Sequence, residues 1–466
     1  MNLKPPRSGR SRRILGLAAV GAVTLGFASA GLVGAGPALA DPPNTYVAVG
    51  SNTTQDVMNS FADVVGDGVL GSFDAVTPIS GTTYTANGVT GVNVEIAPGK
   101  TTSTSGTQTF CDFTRPDGSG AGLASLEYSI NPAFNPSGLP PAPDPQQGCI
   151  DIDRSSSAPT TVVGGDLVYM PFAYDAVTGV TGPTTSGVTV TFTQGTTTYT
   201  NYAVPETNIT FASDFTLADL EDLFTDCVAT TVDAPGTTTP VATYWPLGDT
   251  TAGQTTLPSG DTQIDLYIPQ SGSGTLSFWA STLGFSKTSP PSCDHQSIQG
   301  TATGGDASST FAGDLVVEND GLPYLSDPNG YGPFSIAQWL SQEQYGHNNR
   351  TLGSVLSSVV VSGTAESPTT GTSPSLTINT AFPFWRYVYN VVQTGRVISG
   401  YTDSAGEADG TYDPGLAALF AGTSSKLCEN KLVIDNYGFL PLSASIGSGL
   451  LCGDTTEDAV TGLVEG

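Results

Sequence analysis

Pro269 to Gly284 (PQSGSGTLSFWASTLG) places Gly272, Ser273, Gly274 and Thr275 directly ahead of an apolar stripe of Leu276, Trp279, Ala280 and Leu283. That spacing is one face of a short helix, and Gly284 stands where a left-handed cap would end it. Glycines let successive N–H groups turn the same way, and the first turn of a helix has N–H groups without partners. With the Ser273 and Thr275 hydroxyls, such a bend can hold a small anion. An ordinary Gly-Ser turn before a helix reads the same. The grammar recurs twice. Thr45 to Gly50 reads as a buried strand and Ser51-Asn52-Thr53-Thr54 as a polar, cap-competent turn, before Val57, Met58, Phe61, Val64 and Val65 at helical spacing. Arg115-Pro116-Asp117-Gly118-Ser119-Gly120-Ala121-Gly122 leads into Leu123 and Leu126. Three such bends facing each other would ring one guest with donors.

Other chemistries find less support. Ser-His-Asp catalysis needs a base, and the two histidines are His295, beside Cys293, and His347; no G-x-S-x-G elbow is present. The reading is therefore not an enzyme. With no CxxC, a zinc or redox site is not expected, and no cofactor is. Asp403 to Asp413 (DSAGEADGTYD) departs from calcium-loop spacing at Ala405 and Ala408, so it reads as a solvated loop. Phe382, Phe384, Trp385, Tyr387 and Tyr389 read as packing rather than as a sugar platform.

The elements that must position these bends belong to an exported chain. Residues 1–40 read as a signal peptide: Arg10, Arg12 and Arg13 precede an apolar run, and Ala38-Leu39-Ala40 is a small-x-small cleavage site. Ser11-Arg12-Arg13-Ile14-Leu15 also resembles a twin-arginine signal, so Sec or Tat export is open. The leader ends without a cysteine to accept lipid, and no later apolar run is long enough to span a membrane, so a secreted or wall-associated protein is expected. The leader holds five of the 14 basic residues and no acid, leaving nine cations against 42 carboxylates, a formal −33. Such a surface repels nucleic acid and anionic membranes. Six cysteines suggest, by proximity, Cys111–Cys149, Cys227–Cys293 and Cys428–Cys452.

Strands are expected at Leu167 to Phe172, Gln263 to Ile268, Phe384 to Val392 and Lys431 to Ile434. Helices are expected after Thr216, after Ser335 (with Gln338 completing a capping box) and from Asp413-Pro414 to Gly422. Thr/Gly-rich stretches (82–107, 180–200, 230–262, 361–377) read as β hairpins and loops decorating an α/β framework. Interleaved strands and helices favour mixed sheets flanked by helices.

Taken in order, VAVGSNTTQDVMNSFAD, TRPDGSGAG, IDIDRSSSAP, LVYMPFAYDAVT, FTLADLEDLFTDC, YIPQSGSGTLSFWASTLG, AFPFWRYVYNVV and VIDNYGFLPL resemble the phosphate-binding proteins of ABC uptake systems. These belong to the two-lobe, periplasmic-type solute receptors. The resemblance spans nearly all of the chain after the leader, and each motif alone is weak. It implies the periplasmic-binding-protein fold: lobe 1 from 41–172 plus 381–466, lobe 2 from 173–380, and a two-strand hinge crossing near Met170 to Tyr174 and returning near Ala381 to Trp385. It further implies a monomer that closes on a small anion, phosphate first, with an ABC transporter permease as an eventual partner.

Carried over, the family's anion loops fall on Thr53, Thr54 and Gln55, on Gly118, Ser119 and Gly120, and on Gly272, Ser273, Gly274 and Thr275. Two departures stand out. Pro269 occupies the place of a usual arginine, and Ser156, after Ser155, that of the aspartate which accepts a hydrogen bond from protonated phosphate. Arg115 and Arg154 are the substitutes expected to supply charge, since a guanidinium fork matches two oxygens of an oxyanion. Arg350, Arg386 and Arg396 are expected to be structural. A second reading keeps the scaffold in a secreted surface or structural protein whose ligand site is lost or altered.

Overall fold

In the computed structural model, the residues described are 44–75, 115–131, 148–194, 197–246, 257–299, 310–406, 409–442, 449–460 and 463, with four short strands between 84 and 110 followed as backbone. The leader and Cys111 lie outside the described residues.

Nine strands carry the framework: β1 (Tyr46–Gly50), β2 (Leu70–Ser72), β3 (Ile152–Ser155), β4 (Leu167–Thr181), β5 (Thr230–Asp233), β6 (Pro240–Pro246), β7 (Thr262–Tyr267), β8 (Gly330–Ser335) and β9 (Trp385–Gln393). Their order is β5-β6-β7-β8-β4-β9-β3-β1-β2. At one end β2, β1 and β3 are parallel, and at the other β6, β7 and β8 are parallel. The antiparallel pair β4–β9 joins them, β8 running antiparallel to β4 and β3 antiparallel to β9. β4 pairs with β9 from Leu167 to Ala176 and with β8 from Val177 to Val180. β4 is buried along all 15 residues, and its near-continuous apolar run is what burial on both faces requires. It outruns the expected strand by nine residues. The fold is α/β, a mixed sheet flanked by helices.

Four helices matter for the site: α1 (Gln55–Val65), α2 (Ser119–Ile130), α3 (Gly274–Leu283) and α4 (Ile336–Glu343). α1 buries Val57, Met58 and Phe61, although Val64, counted in the expected stripe, is half exposed. α3 buries Leu276, Trp279, Ala280 and Leu283 and ends at Gly284 with φ 85°, the left-handed conformation glycine adopts without steric cost. Lys431–Asn436 is helix, not the expected strand, and buries Ile434. Its β-branched run suggested a strand, but the segment follows Lys426–Glu429 directly as another short turn of helix, and local context outweighs propensity.

The Thr/Gly-rich stretches form the expected hairpins at Thr189–Gln194 with Thr197–Ala203 and at Val359–Val361 with Thr364–Glu366. Within 230–262, however, β5 and β6 extend the main sheet rather than decorate it. Cys227–Cys293 and Cys428–Cys452 are bonded with Cα–Cα distances of 5.7 Å, and Cys149 is also in a disulfide. Among the described residues no helix is long and apolar enough to cross a membrane.

Candidate functional site

The parallel strands β1 and β3 release the chain side by side, and the bends after them interlock. Gly50, at φ 111°, lies so close to Asp153 and Arg154 that a Cβ there would overlap both. Ser51 N donates to Arg154 O at 2.8 Å, Ser51 Oγ to Ser156 Oγ at 3.0 Å, and Thr53 N to Ser51 Oγ at 3.1 Å. The glycine loop ahead of α2 joins them. Asp117 bridges to Gly50 and accepts from Asn52 Nδ2 at 2.9 Å, and Ser119 Oγ accepts from Ser156 N at 3.0 Å.

The GSGT bend closes against this pair. Gly120 N donates to Gly272 O at 2.9 Å, and Gln270 Nε2 to Asp117 O at 2.8 Å. Ser273 caps α3 by accepting from Leu276 N at 3.1 Å. Thr275 Oγ1 lies 3.3 Å from Thr53 Oγ1. Any side chain at Gly274 would overlap Ser156 Oγ and Ser119 Oγ, so the glycine permits the approach. Thr53, Ser119, Ser156, Ser273 and Thr275, from four separate segments, are each buried and face one another. Thr54 Oγ1 is fully buried and has no hydrogen-bond partner.

Arg386 on β9, expected to be structural, brings a positive charge to this cluster. Its Nε and Nη2 grip Asp175 Oδ2 at 3.0 and 2.7 Å. Nη2 also donates to Thr275 Oγ1 at 2.9 Å and toward Thr53 Oγ1 at 3.4 Å, and Nη1 to Ser156 O at 3.2 Å. The guanidinium lies 5.8 Å from the Phe278 ring centre. Asp175, on β4 just before that strand exchanges β9 for β8, is fully buried. Its other oxygen accepts from Ser335 Oγ at 2.9 Å and Ala337 N at 3.0 Å, at the start of α4, where partnerless N–H groups favour a carboxylate. A buried ion pair is tolerable only when its remaining donors and acceptors are satisfied, and these are.

A second carboxylate stands in the cluster. Glu318, 2% exposed, accepts from Thr53 Oγ1 at 2.7 Å and from Ser273 Oγ. Gln338, on α4, donates to Thr53 O at 2.6 Å. The expected capping box is therefore half formed: Ser335 Oγ accepts from Gln338 N, while the Gln338 amide serves the bend instead.

Arg154, expected to supply charge, donates elsewhere. It is fully buried, but Nη1 donates to Ser72 Oγ at 2.7 Å and Nη2 to Phe73 O at 2.6 Å, beside β2 rather than among the hydroxyls. Burial pulls its pKa down to about 10 against the nearby charges of Asp74, Asp153 and Asp56. Arg115 is half-buried in front of α2, its pKa lowered by burial and pushed back by Asp74. Gln55 Oε1 accepts from Ala75 N at 3.1 Å, and Ser155 Oγ closes a local turn with Ser157. Arg350 pairs with Asp56 at 3.3 Å and Arg396 with Asp151 at 2.7 Å, as structural arginines.

Asp175 and Glu318 escaped the sequence reading, in which Arg386 is structural and Gln338 a cap residue rather than members of this cluster. A signal existed for the Arg386–Asp175 pair: Arg386 is the one cation inside AFPFWRYVYNVV and Asp175 the one acid inside LVYMPFAYDAVT. Two lone charges in two buried strands must find each other. Glu318 carries no such mark.

No family model matches the chain, and no curated protein does. Among solved structures it is similar to one described as a possible phosphate binding protein from Planctomyces limnophilus DSM 3776, at 11% identity and TM-score 0.35, over 87% of this chain and 95% of that one. Another is a candidate phosphate ABC transporter substrate-binding protein with bound phosphate from Clostridium perfringens, at 10% identity and TM-score 0.35, over 85% and 99%. Likenesses this remote carry no argument about the site.

Proposed function

We propose that this protein is an extracellular solute-binding protein that takes a small oxyanion, inorganic phosphate first, between two lobes. The observation that carries the reading is the meeting of five buried hydroxyls from four segments around the Arg386–Asp175 pair. Because Asp175 balances Arg386, recognition comes mainly from hydroxyl and N–H dipoles that are already oriented, which lowers the ordering cost of binding. The buried, partnerless Thr54 hydroxyl fits a site whose remaining partner arrives with a ligand.

In this reading 41–172 with 381–466 form one lobe and 173–380 the other, with the β4–β9 pair as hinge. The ligand biases closure because it touches both lobes only when they are shut. The protein is a secreted monomer, carries out no covalent chemistry, and hands its cargo to an ABC transporter permease. Glu318 favours a second reading, a surface protein with an altered site, since its carboxylate already takes two of the donors. Calorimetry with phosphate, sulfate and a panel of phosphorylated and carboxylated metabolites tests both. Heat with phosphate is expected under the first; silence with every ligand, including after removal of the Glu318 carboxylate, leaves the second.

A further inference from the structure

The hydroxyls that would meet an oxyanion are turned toward a group the chain itself provides. Thr53 and Ser273 belong to bends more than 200 residues apart, and the Glu318 carboxylate accepts from one with each oxygen. The next residue, Asn319, is held twice. Asn319 Nδ2 donates to Asn52 O at 3.2 Å, and Gln342 Nε2 on α4 holds Asn319 O at 3.0 Å. Gln338 from the same helix holds Thr53 O. With Arg386 matched by Asp175, Glu318 leaves the cluster with an excess negative charge. A dianion entering beside it would meet a like charge at close range with little water to screen it.

We propose that Glu318 is a built-in occupant of the oxyanion socket, a tethered carboxylate that an incoming oxyanion must displace. This deepens the oxyanion reading above and rests on it. Displacement makes the affinity of the wild-type protein lower than its donors alone would give. It also lets the bends stay assembled with no guest, because the Glu318 carboxylate satisfies donors that would otherwise be buried unpaired.

The test is calorimetric titration of the wild-type protein, Glu318→Ala and Glu318→Gln with inorganic phosphate and with sulfate, each protein checked for cooperative thermal unfolding. Glu318→Ala vacates the seat and is expected to bind phosphate at least tenfold tighter than wild type. Glu318→Gln removes the charge but keeps the bulk, and a smaller gain is expected. Folded variants that bind phosphate as weakly as wild type, or more weakly, overturn the proposal while the oxyanion reading stands. If no folded protein of the three binds either anion, the oxyanion reading itself falls and takes the proposal with it. Should Glu318→Ala fail to fold, Glu318→Gln decides alone: a gain supports the occupant, and equal or weaker binding overturns it.

Discussion

Two arginines are buried on adjacent strands, and their surroundings differ. Arg154 on β3 gives its fork to neutral oxygens, a serine hydroxyl and a carbonyl, and burial drags its pKa down to about 10. Arg386 on β9 grips one carboxylate with two nitrogens and still reaches a threonine hydroxyl and a carbonyl. The first braces β3 against the segment after β2. The second is oriented by its counterion and extends into the place where separate bends converge. Burial of a cation alone is thus no sign of a ligand site; what matters is whether a partner holds it while donors remain directed at a shared space.

The comparison breaks most visibly by removing each cation. Arg386→Met leaves Asp175 buried without its counterion, which is expected to cost about 3–5 kcal/mol of stability and to abolish oxyanion binding. Arg154→Met strands two neutral acceptors and removes a cation near Asp153, Asp74 and Asp56 without breaking a direct ion pair, and is expected to cost about 1–3 kcal/mol, with oxyanion affinity nearly unchanged. Denaturant unfolding and calorimetry on both variants check this; loss of binding in Arg154→Met alone would reverse the assignment.

The opposite charge sharpens it. Glu127 on α2, 6% exposed, has its pKa pushed up to about 7 by burial, and burial raises Asp153 as well. A raised carboxyl favours the protonated form in the folded state. Stability is therefore full below the ordinary glutamate range and falls as pH rises toward about 7. The loss for Glu127 is on the order of 2–3 kcal/mol. Melting curves between pH 4.5 and 8 should show the decline, and Glu127→Gln should flatten it; an unchanged slope would mean the carboxyl is hydrated.

Smaller effects fall on the bends. Gly274→Ala pushes a methyl into Ser119 and Ser156 and is expected to cost about 1–3 kcal/mol as overpacking, with weaker oxyanion binding. A variant as stable as wild type would show that the bends can part freely. Thr54→Val removes a buried hydroxyl that has no partner. It is expected to raise unliganded stability by about 1 kcal/mol and to weaken binding, and a loss of stability instead would show that the hydroxyl already has a partner.

The three hydroxyl-bearing bends were legible because each pairs small residues with an apolar helical stripe, a local pattern. So were the caps at Thr216 and Asp413 and two of the disulfides. What was not legible depends on pairing across long separations. Arg386 and Asp175 lie 211 residues apart and become neighbours only through the antiparallel register of β9 on β4. Glu318 sits 265 residues from Thr53 in a stretch with no periodic signal. Gln338 was read as half of a cap because its spacing from Ser335 fits one; its amide finds the Thr53 carbonyl instead. Arg154 was placed by its sequence neighbours, the serines, whereas the direction of its side chain placed it elsewhere.

The central claim is that the bends around Arg386 form one oxyanion seat. Anomalous diffraction from crystals of the Glu318→Ala protein grown with arsenate tests it most directly. The account predicts a single arsenic peak within hydrogen-bonding reach of the Thr53 and Ser273 hydroxyls, next to the Arg386 guanidinium. A fully ordered site with no peak there, or a peak confined to another part of the molecule, would contradict it.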